Sequence, residues 1–157
     1  MSKVNDLLQT ITSLDKRLDW DEYFMIIAYL ISKRSSCDRL HVGCVIIKDK
    51  RIVSTGYNGH IPGTPHNSLV KDGHEQLTIH AEINSICNSA KTGVQLNGST
   101  AYVTHHPCVN CTKALIAAGV KEIVYSQDYK TSPISKQLFA SAGVKVNKMN
   151  IEHKTQT

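Results

Sequence analysis

The sequence predicts an α/β domain: a three-layer α/β/α sandwich around a central mixed sheet of five strands. Two β-branched runs at 42–48 and 51–57 are separated only by Asp49-Lys50, which reads as a tight antiparallel hairpin. Beyond it, helical and extended periods alternate to the end of the chain. Alternating helices after an opening hairpin imply a mixed sheet covered on both faces. The length of 157 residues and the 41% hydrophobic content suit one domain with a real core.

Residues 1–19 are polar-rich, with Val4, Leu7, Leu8, Ile11 and Leu14 at helical spacing. They are expected to form a helical extension packed on the domain or on a partner. Residues 20–34 form a stronger helix, with Phe24, Ile27, Ala28 and Ile31 on one face and Asp19 and Asp21 near its start. After the hairpin, 58–73 is rich in Gly, Pro, Asn and His and reads as a functional loop. The spacing predicts a helix over 79–90, its apolar side carrying Ile79, Ile83, Ile86, Cys87 and Ala90. A strand follows at 100–105, then a helix at 109–118 stopped by Gly119. A strand at 122–126, a helix at 133–142 stopped by Gly143 and a last strand at 144–148 complete the sheet. Residues 149–157 read as a polar tail. The whole of 1–157 is one domain, with no repeat, linker or low-complexity tract.

Charge and cysteine content narrow the class. Lys and Arg total 18 against 13 Asp and Glu, a net charge of +5. The excess is diffuse, which suits an anionic small molecule better than a nucleic acid. No apolar run approaches bilayer length; the best, Phe24 to Ile31, is short. The first residues lack the layout of a signal peptide, so the expected location is cytoplasmic. In that setting the five cysteines favour metal binding over disulfides.

Two clusters carry chemistry. His80-Ala81-Glu82 opens the third predicted helix, and Pro107-Cys108-Val109-Asn110-Cys111 lies where a strand passes into the next helix. Three ligands of the types His80, Cys108 and Cys111 leave a fourth zinc position open, the mark of a catalytic site. Cys108 and Cys111 are one helical turn apart at a helix start, where free N–H groups and the dipole stabilise thiolate. Glu82 need not be a ligand and stands close enough to move protons. A structural zinc site draws four Cys or His ligands, and a redox Cys pair leaves His80 and Glu82 unexplained. His-x-Glu followed by Pro-Cys-x-x-Cys is the signature of the zinc-dependent nucleobase deaminases.

On these motifs the chain resembles the deoxycytidylate deaminases of the cytidine deaminase superfamily, from about Trp20 to Val146. Narrower matches are Trp20-Asp21-Glu22-Tyr23-Phe24-Met25, Lys33-Arg34-Ser35, and the loop Gly56-Tyr57-Asn58-Gly59 with Pro62-Gly63. The resemblance implies a cytidine deaminase-like fold, one catalytic Zn²⁺ per subunit, and hydrolysis of dCMP to dUMP and ammonia, supplying dUMP for thymidylate synthesis. Glu82 would be the catalytic proton carrier, and His80, Cys108 and Cys111 the metal ligands. Asn58, Arg34, Ser35, Ala81 and Tyr129 would contact the substrate, with Arg34 and Ser35 on the phosphate. It further implies a homo-oligomer, a hexamer, activated by dCTP and inhibited by dTTP through the region of Gly56, Tyr57, Asn58 and Gly59. No membrane or nucleic-acid partner is expected.

The chain also departs from the family. Asn67 stands where relatives often have Cys, so a second, structural zinc near His66 and His74 is not expected, although Cys37 could add a thiol from outside the loop. Cys44 and Cys87 are expected as buried small hydrophobes. His105 and His106 are read as packing or hydrogen-bonding residues. Three alternatives stay open: action on dCTP, action on tRNA adenosine or single-stranded DNA cytosine, and a zinc-stabilised module without activity.

Overall fold

In the computed structural model, which describes residues 2–151, the elements follow in this order: α1 (Lys3–Thr12), α2 (Trp20–Ser32), β1 (Gly43–Lys48), β2 (Arg51–Tyr57), β3 (Gly59–His60), β4 (Val70–Lys71), β5 (His74–Glu75), β6 (Thr78–Ile79), α3 (Ala81–Thr92), β7 (Thr100–His105), α4 (Val109–Ala117), β8 (Glu122–Gln127), α5 (Pro133–Ser141) and β9 (Lys145–Lys148). The five long strands form one sheet in the order β2-β1-β7-β8-β9. β1 is antiparallel to both neighbours, whereas β7, β8 and β9 run parallel. This is the mixed sheet that the alternation predicts. Asp49 and Lys50 have φ of 50° and 59°, the paired left-handed geometry that turns a two-residue hairpin.

Alternate side chains of each strand separate two cores. On one face Cys44, Ile46, Ala101, Val103 and Ile123 meet Ala81, Leu115 and Phe139 from the α3, α4 and α5 layer. On the other, Val45, Ile47, Tyr102 and Val124 meet Phe24, Met25 and Ala28 of α2. Helix α2 begins at a reciprocal cap, Asp19 accepting from the Glu22 N–H and Glu22 from the Asp19 N–H. It is pinned to the central strands by Tyr102, which donates to Asp21 at 2.6 Å, and by the Tyr29–Ser126 hydroxyl pair at 2.7 Å.

One expectation is narrowed and two are corrected. Helix α1 forms but buries no residue on the domain, leaving Val4, Leu7, Leu8 and Ile11 exposed. Helix α3 starts two residues later than its spacing suggests, because Ile79 pairs with Gly59 in the β3–β6 ladder. Its fully buried face is Ala81, Glu82, Ser85 and Ser89; on the predicted side Ile86 is only partly buried against the same core, and Cys87 is exposed. Small residues face inward there because α3 lies directly on β2. A Cβ on Gly56 would stand 2.2 Å from the Ala81 carbonyl oxygen and 2.5 Å from the Ser85 nitrogen. Ser54 donates to the Ser85 carbonyl at 2.7 Å, and Asn84 to the Tyr57 carbonyl at 2.8 Å. In the polar tail, Met149 is tied to the sheet through the Tyr125 carbonyl; residues 152–157 lie outside the described residues. Among the described residues no helix is long and apolar enough to cross a membrane.

Because only hydrogen fits between β2 and α3, Gly56→Ala is expected to cost about 3 kcal/mol or more, and to displace the helix that opens with His80. Urea denaturation measures the loss, and metal content of the purified variant measures the displacement.

Candidate metal centre and cleft

Two helix starts converge at one edge of the sheet. His80 is the N-cap of α3 and Cys108 the N-cap of α4; both have extended backbone, and neither side chain caps its own helix. Their polar atoms are therefore free to face each other. His80 Nδ1 lies 3.5 Å from Cys108 Sγ and 3.3 Å from Cys111 Sγ. Among the described residues these three form the group of metal-ligating side chains, all their ligand atoms lying within 4.8 Å of one another. Zn–N and Zn–S bonds of about 2.0 and 2.3 Å place tetrahedral ligand atoms roughly 3.5 Å apart. The donor set thus fits zinc, with the fourth position left open.

The protonation states point the same way. A hydrogen bond from the Cys111 thiol, aided by His80, pulls the Cys108 thiol down to about 3. Cys111 is pushed up, since it keeps the proton the pair shares and is itself buried. The Cys108 hydrogen bond raises His80. Both shifts favour a thiolate on Cys108 and a proton on His80, and a divalent cation displaces such protons on binding.

Glu82 follows His80 by two residues, in the first turn of α3, and is 4% exposed. Burial raises its carboxyl above the usual range, partly opposed by its own backbone N–H and by His80. A carboxyl raised in this way is suited to take up a proton and pass it on.

His80, Glu82 and Cys108 line a cleft of about 240 Å³. Of the residues expected to contact substrate, Asn58, Ala81 and Tyr129 line it. The Asn58 side chain holds the wall together: its Oδ1 accepts from the Val42 N–H at 2.7 Å and the Ser35 hydroxyl at 2.8 Å, while Nδ2 donates to the Leu40 carbonyl at 2.5 Å. Ser35 is spent on that contact and does not line the cleft. Arg34, in the turn after α2, is exposed and outside it as well. The cleft takes in Arg39, Lys130 and His105 instead, none of which motif spacing singles out as a substrate contact. Of the four loop residues expected at an effector site, Gly56 lies against α3, Asn58 is in the cleft wall, and Gly59 is buried beside Ser36 and Tyr57. His105 bonds Thr104 at 2.8 Å and His106 the Pro107 carbonyl at 3.0 Å, in keeping with hydrogen-bonding roles. Cys44 is buried beside Ser85. Of the second-zinc candidates, His66 stacks on His60 with ring centres 4.8 Å apart, and Cys37 is buried on the cleft wall.

With this geometry in place, comparison with known proteins is decisive. The family described as "Cytidine and deoxycytidylate deaminase zinc-binding region" matches residues 18–127. The chain belongs to this family. It is 44% identical over 141 residues to ComE operon protein 2 of Bacillus subtilis, covering 87% of this chain and 75% of that protein. It is 36% identical over 149 residues to human deoxycytidylate deaminase, covering 85% and 82%. The dCMP deaminase of cyanophage S-TIM5, solved with dCMP and dUMP, superposes with a TM-score of 0.77 at 32% identity, over 85% of this chain and 99% of that one. The cytidine deaminase-like fold is thereby established, and the family's zinc-binding region contains His80, Glu82, Cys108 and Cys111.

Glu82 burdens the metal-free fold. A carboxyl raised by burial contributes stability while protonated and loses it as pH rises through its raised value. Glu82→Gln is therefore expected to raise the Tm of metal-free protein most at pH 8, the gain shrinking as pH falls toward 4.5, the ordinary glutamate value. Thermal unfolding across that range checks it. Cys108→Ala is expected to purify with less than a tenth of the wild-type zinc, read by elemental analysis.

Proposed function

We propose that the chain hydrolyses dCMP to dUMP and ammonia. One observation carries the reading: a buried, proton-poised Glu82 stands beside the His80–Cys108–Cys111 group in a cleft sized for a small molecule. Membership of the deaminase family and the likeness to enzymes that handle dCMP support the choice of substrate. The net charge of +5 suits an anionic nucleotide.

His80, Cys108 and Cys111 would hold zinc. When bound, it supplies the positive charge that brings the pKa of water down to about 7 and stabilises negative charge developing on oxygen. The chain's own residues do the rest. Glu82 takes the proton that the attacking water gives up as its oxygen bonds to C4 of the cytosine. It passes that proton to ring N3, then takes the remaining proton of the same oxygen and hands it to the 4-amino group, which leaves as ammonia as the C4–N bond breaks and the C4 carbonyl forms. Its burial serves both directions, because a carboxyl raised above its ordinary range holds a proton more readily before passing it on. Asn58 keeps the cleft wall rigid while this happens.

The homo-oligomer, a hexamer by resemblance, and regulation by dCTP and dTTP belong to the same reading. The exposed apolar face of α1 supports a contact between subunits, since Val4, Leu7, Leu8 and Ile11 find no cover on their own chain. Gly56 is committed to helix packing, so an effector would rest on Tyr57 and Gly59 at the loop.

Zinc-loaded protein is expected to release ammonia from dCMP, with Glu82→Gln retaining zinc and losing at least about 10³-fold in kcat. A wild-type rate in Glu82→Gln, or inert dCMP with zinc bound, overturns the reading. Velocity against dCMP is expected to be sigmoidal, becoming hyperbolic with dCTP and depressed by dTTP; hyperbolic kinetics unmoved by either nucleotide remove the regulatory part.

A further inference from the structure

A groove of about 830 Å³ lies between the start of α2 and the turn of the β1–β2 hairpin, and neither the metal group nor Glu82 accounts for it. Strand β2 runs from Arg51 in this groove to Tyr57, the residue before Asn58 in the cleft wall, a span of about 20 Å. The groove is partly aromatic. Trp20 stacks on Phe24 with ring centres 5.6 Å apart, and Tyr23 meets Trp20 edge to face at 6.1 Å. Trp20 and Tyr23 nevertheless stay 42% and 43% exposed. The groove is also cationic. Arg17 comes from the segment before α2, and Lys50 and Arg51 from the hairpin.

These charges are free. Among the described residues the ion pairs are Lys145–Glu122 and Lys148–Asp128, and none of the three groove cations is engaged. The acids at the start of α2 are spent: Asp19 and Glu22 accept from each other's backbone N–H, and Asp21 accepts from Tyr102. Asp49 is the carboxylate left in the lining, against three cations. Along the sequence Arg17 stands far from Lys50 and Arg51, and the excess charge reads as diffuse. Folding gathers it beside two aromatic rings. Lys50 Nζ rests 5.4 Å from the centre of the Trp20 ring. Such a contact at an exposed site is weaker than the stacking of a nucleobase on the same ring. A base arriving at Trp20 would displace the ammonium, which stays within reach of a neighbouring phosphate.

We propose that this groove binds single-stranded nucleic acid, with bases on Trp20 and Tyr23 and the backbone phosphates on Arg17, Lys50 and Arg51. Exposed rings flanked by cations are what a single strand offers itself to, because its bases are unpaired and every base has a face to stack. The phosphates then supply the electrostatic part of the affinity. The groove has more than three times the volume of the cleft, so it has room for consecutive nucleotides where the cleft is sized for one. Three cations on two chain segments likewise suit a run of phosphates better than a single one. A strand held there lies too far from Glu82 to be its substrate, so binding does not depend on the deamination reading above.

Trp20 is the only tryptophan in the chain, so its fluorescence reports on this groove directly. The zinc-loaded chain is titrated with a single-stranded oligothymidylate, whose thymines carry no 4-amino group to lose. Saturable quenching is expected, with a log–log slope of affinity against salt of about −2, three phosphate contacts at about −0.7 each. Lys50→Ala and Arg51→Ala are each expected to weaken binding about 3- to 10-fold and to flatten the slope by about 0.7. Lys91→Ala, exposed in the last turn of α3, is expected to change neither. Wild-type zinc content in all three variants shows that the fold is kept. Absence of quenching overturns the proposal. So does equal quenching by a duplex of the same length, by dTMP at the same concentration of nucleotide units, or by polyglutamate. A loss in Lys91→Ala that matches the loss in Arg51→Ala overturns it too, since binding would then follow overall charge and not this groove.

Discussion

Glu82 keeps a carboxylate almost wholly out of water in the first turn of α3. Its ionised form gains from its own backbone N–H and from the His80 imidazole, but not enough to offset burial. Divalent charge beside it would change that balance, and much of the architecture serves to bring His80, Cys108 and Cys111 together at that spot. The start of α3 must be held against β2, and the start of α4 must follow β7 directly. The first demand accounts for Gly56 and for the small inward face of α3. The second accounts for the β7–α4–β8 crossover, whose parallel strands bring a helix N-terminus to the end of a buried strand.

The loop between β2 and α3 is more ordered than its composition suggests. Gly59 and His60 pair with Ile79 and Thr78, and this two-residue ladder ends where His80 begins. Ser36 meets both the N–H and the ring of His60 at 3.1 Å, which ties the same ladder back to the segment after α2. Asn58 does similar work one position earlier, joining Leu40, Val42 and Ser35 through a single amide. The wall carrying Arg39 thus depends on side chains that the family motifs suggest as direct substrate contacts. A larger groove of about 830 Å³, between Trp20 and the hairpin turn, lies at the opposite end of the sheet and holds none of these groups.

Metal ligation and stability pull against each other here. Without metal the centre favours a thiolate on Cys108 and a proton on His80, and keeps the Glu82 carboxyl buried. Such a site is tuned for a cation and a reaction rather than for the fold, the usual trade between activity and stability.

Much of the fold was legible in the residues themselves. Period-2 runs, an Asp-Lys turn and glycine stops are local signals, so the five long strands and the helices after them lie within a few residues of their predicted positions. The gathering of His80, Cys108 and Cys111 beside Glu82 was legible for a related reason: zinc chemistry constrains residue type and short spacing, and both can be read along a line. What spacing could not supply was the side of α3 that turns inward, since a glycine on a neighbouring strand decides it across the interface. Nor could spacing supply the cluster of Arg39, Tyr129 and Lys130, because 90 residues separate the arginine from the tyrosine. Local chemistry is written in local sequence; a cleft is made by chain segments that only folding brings together.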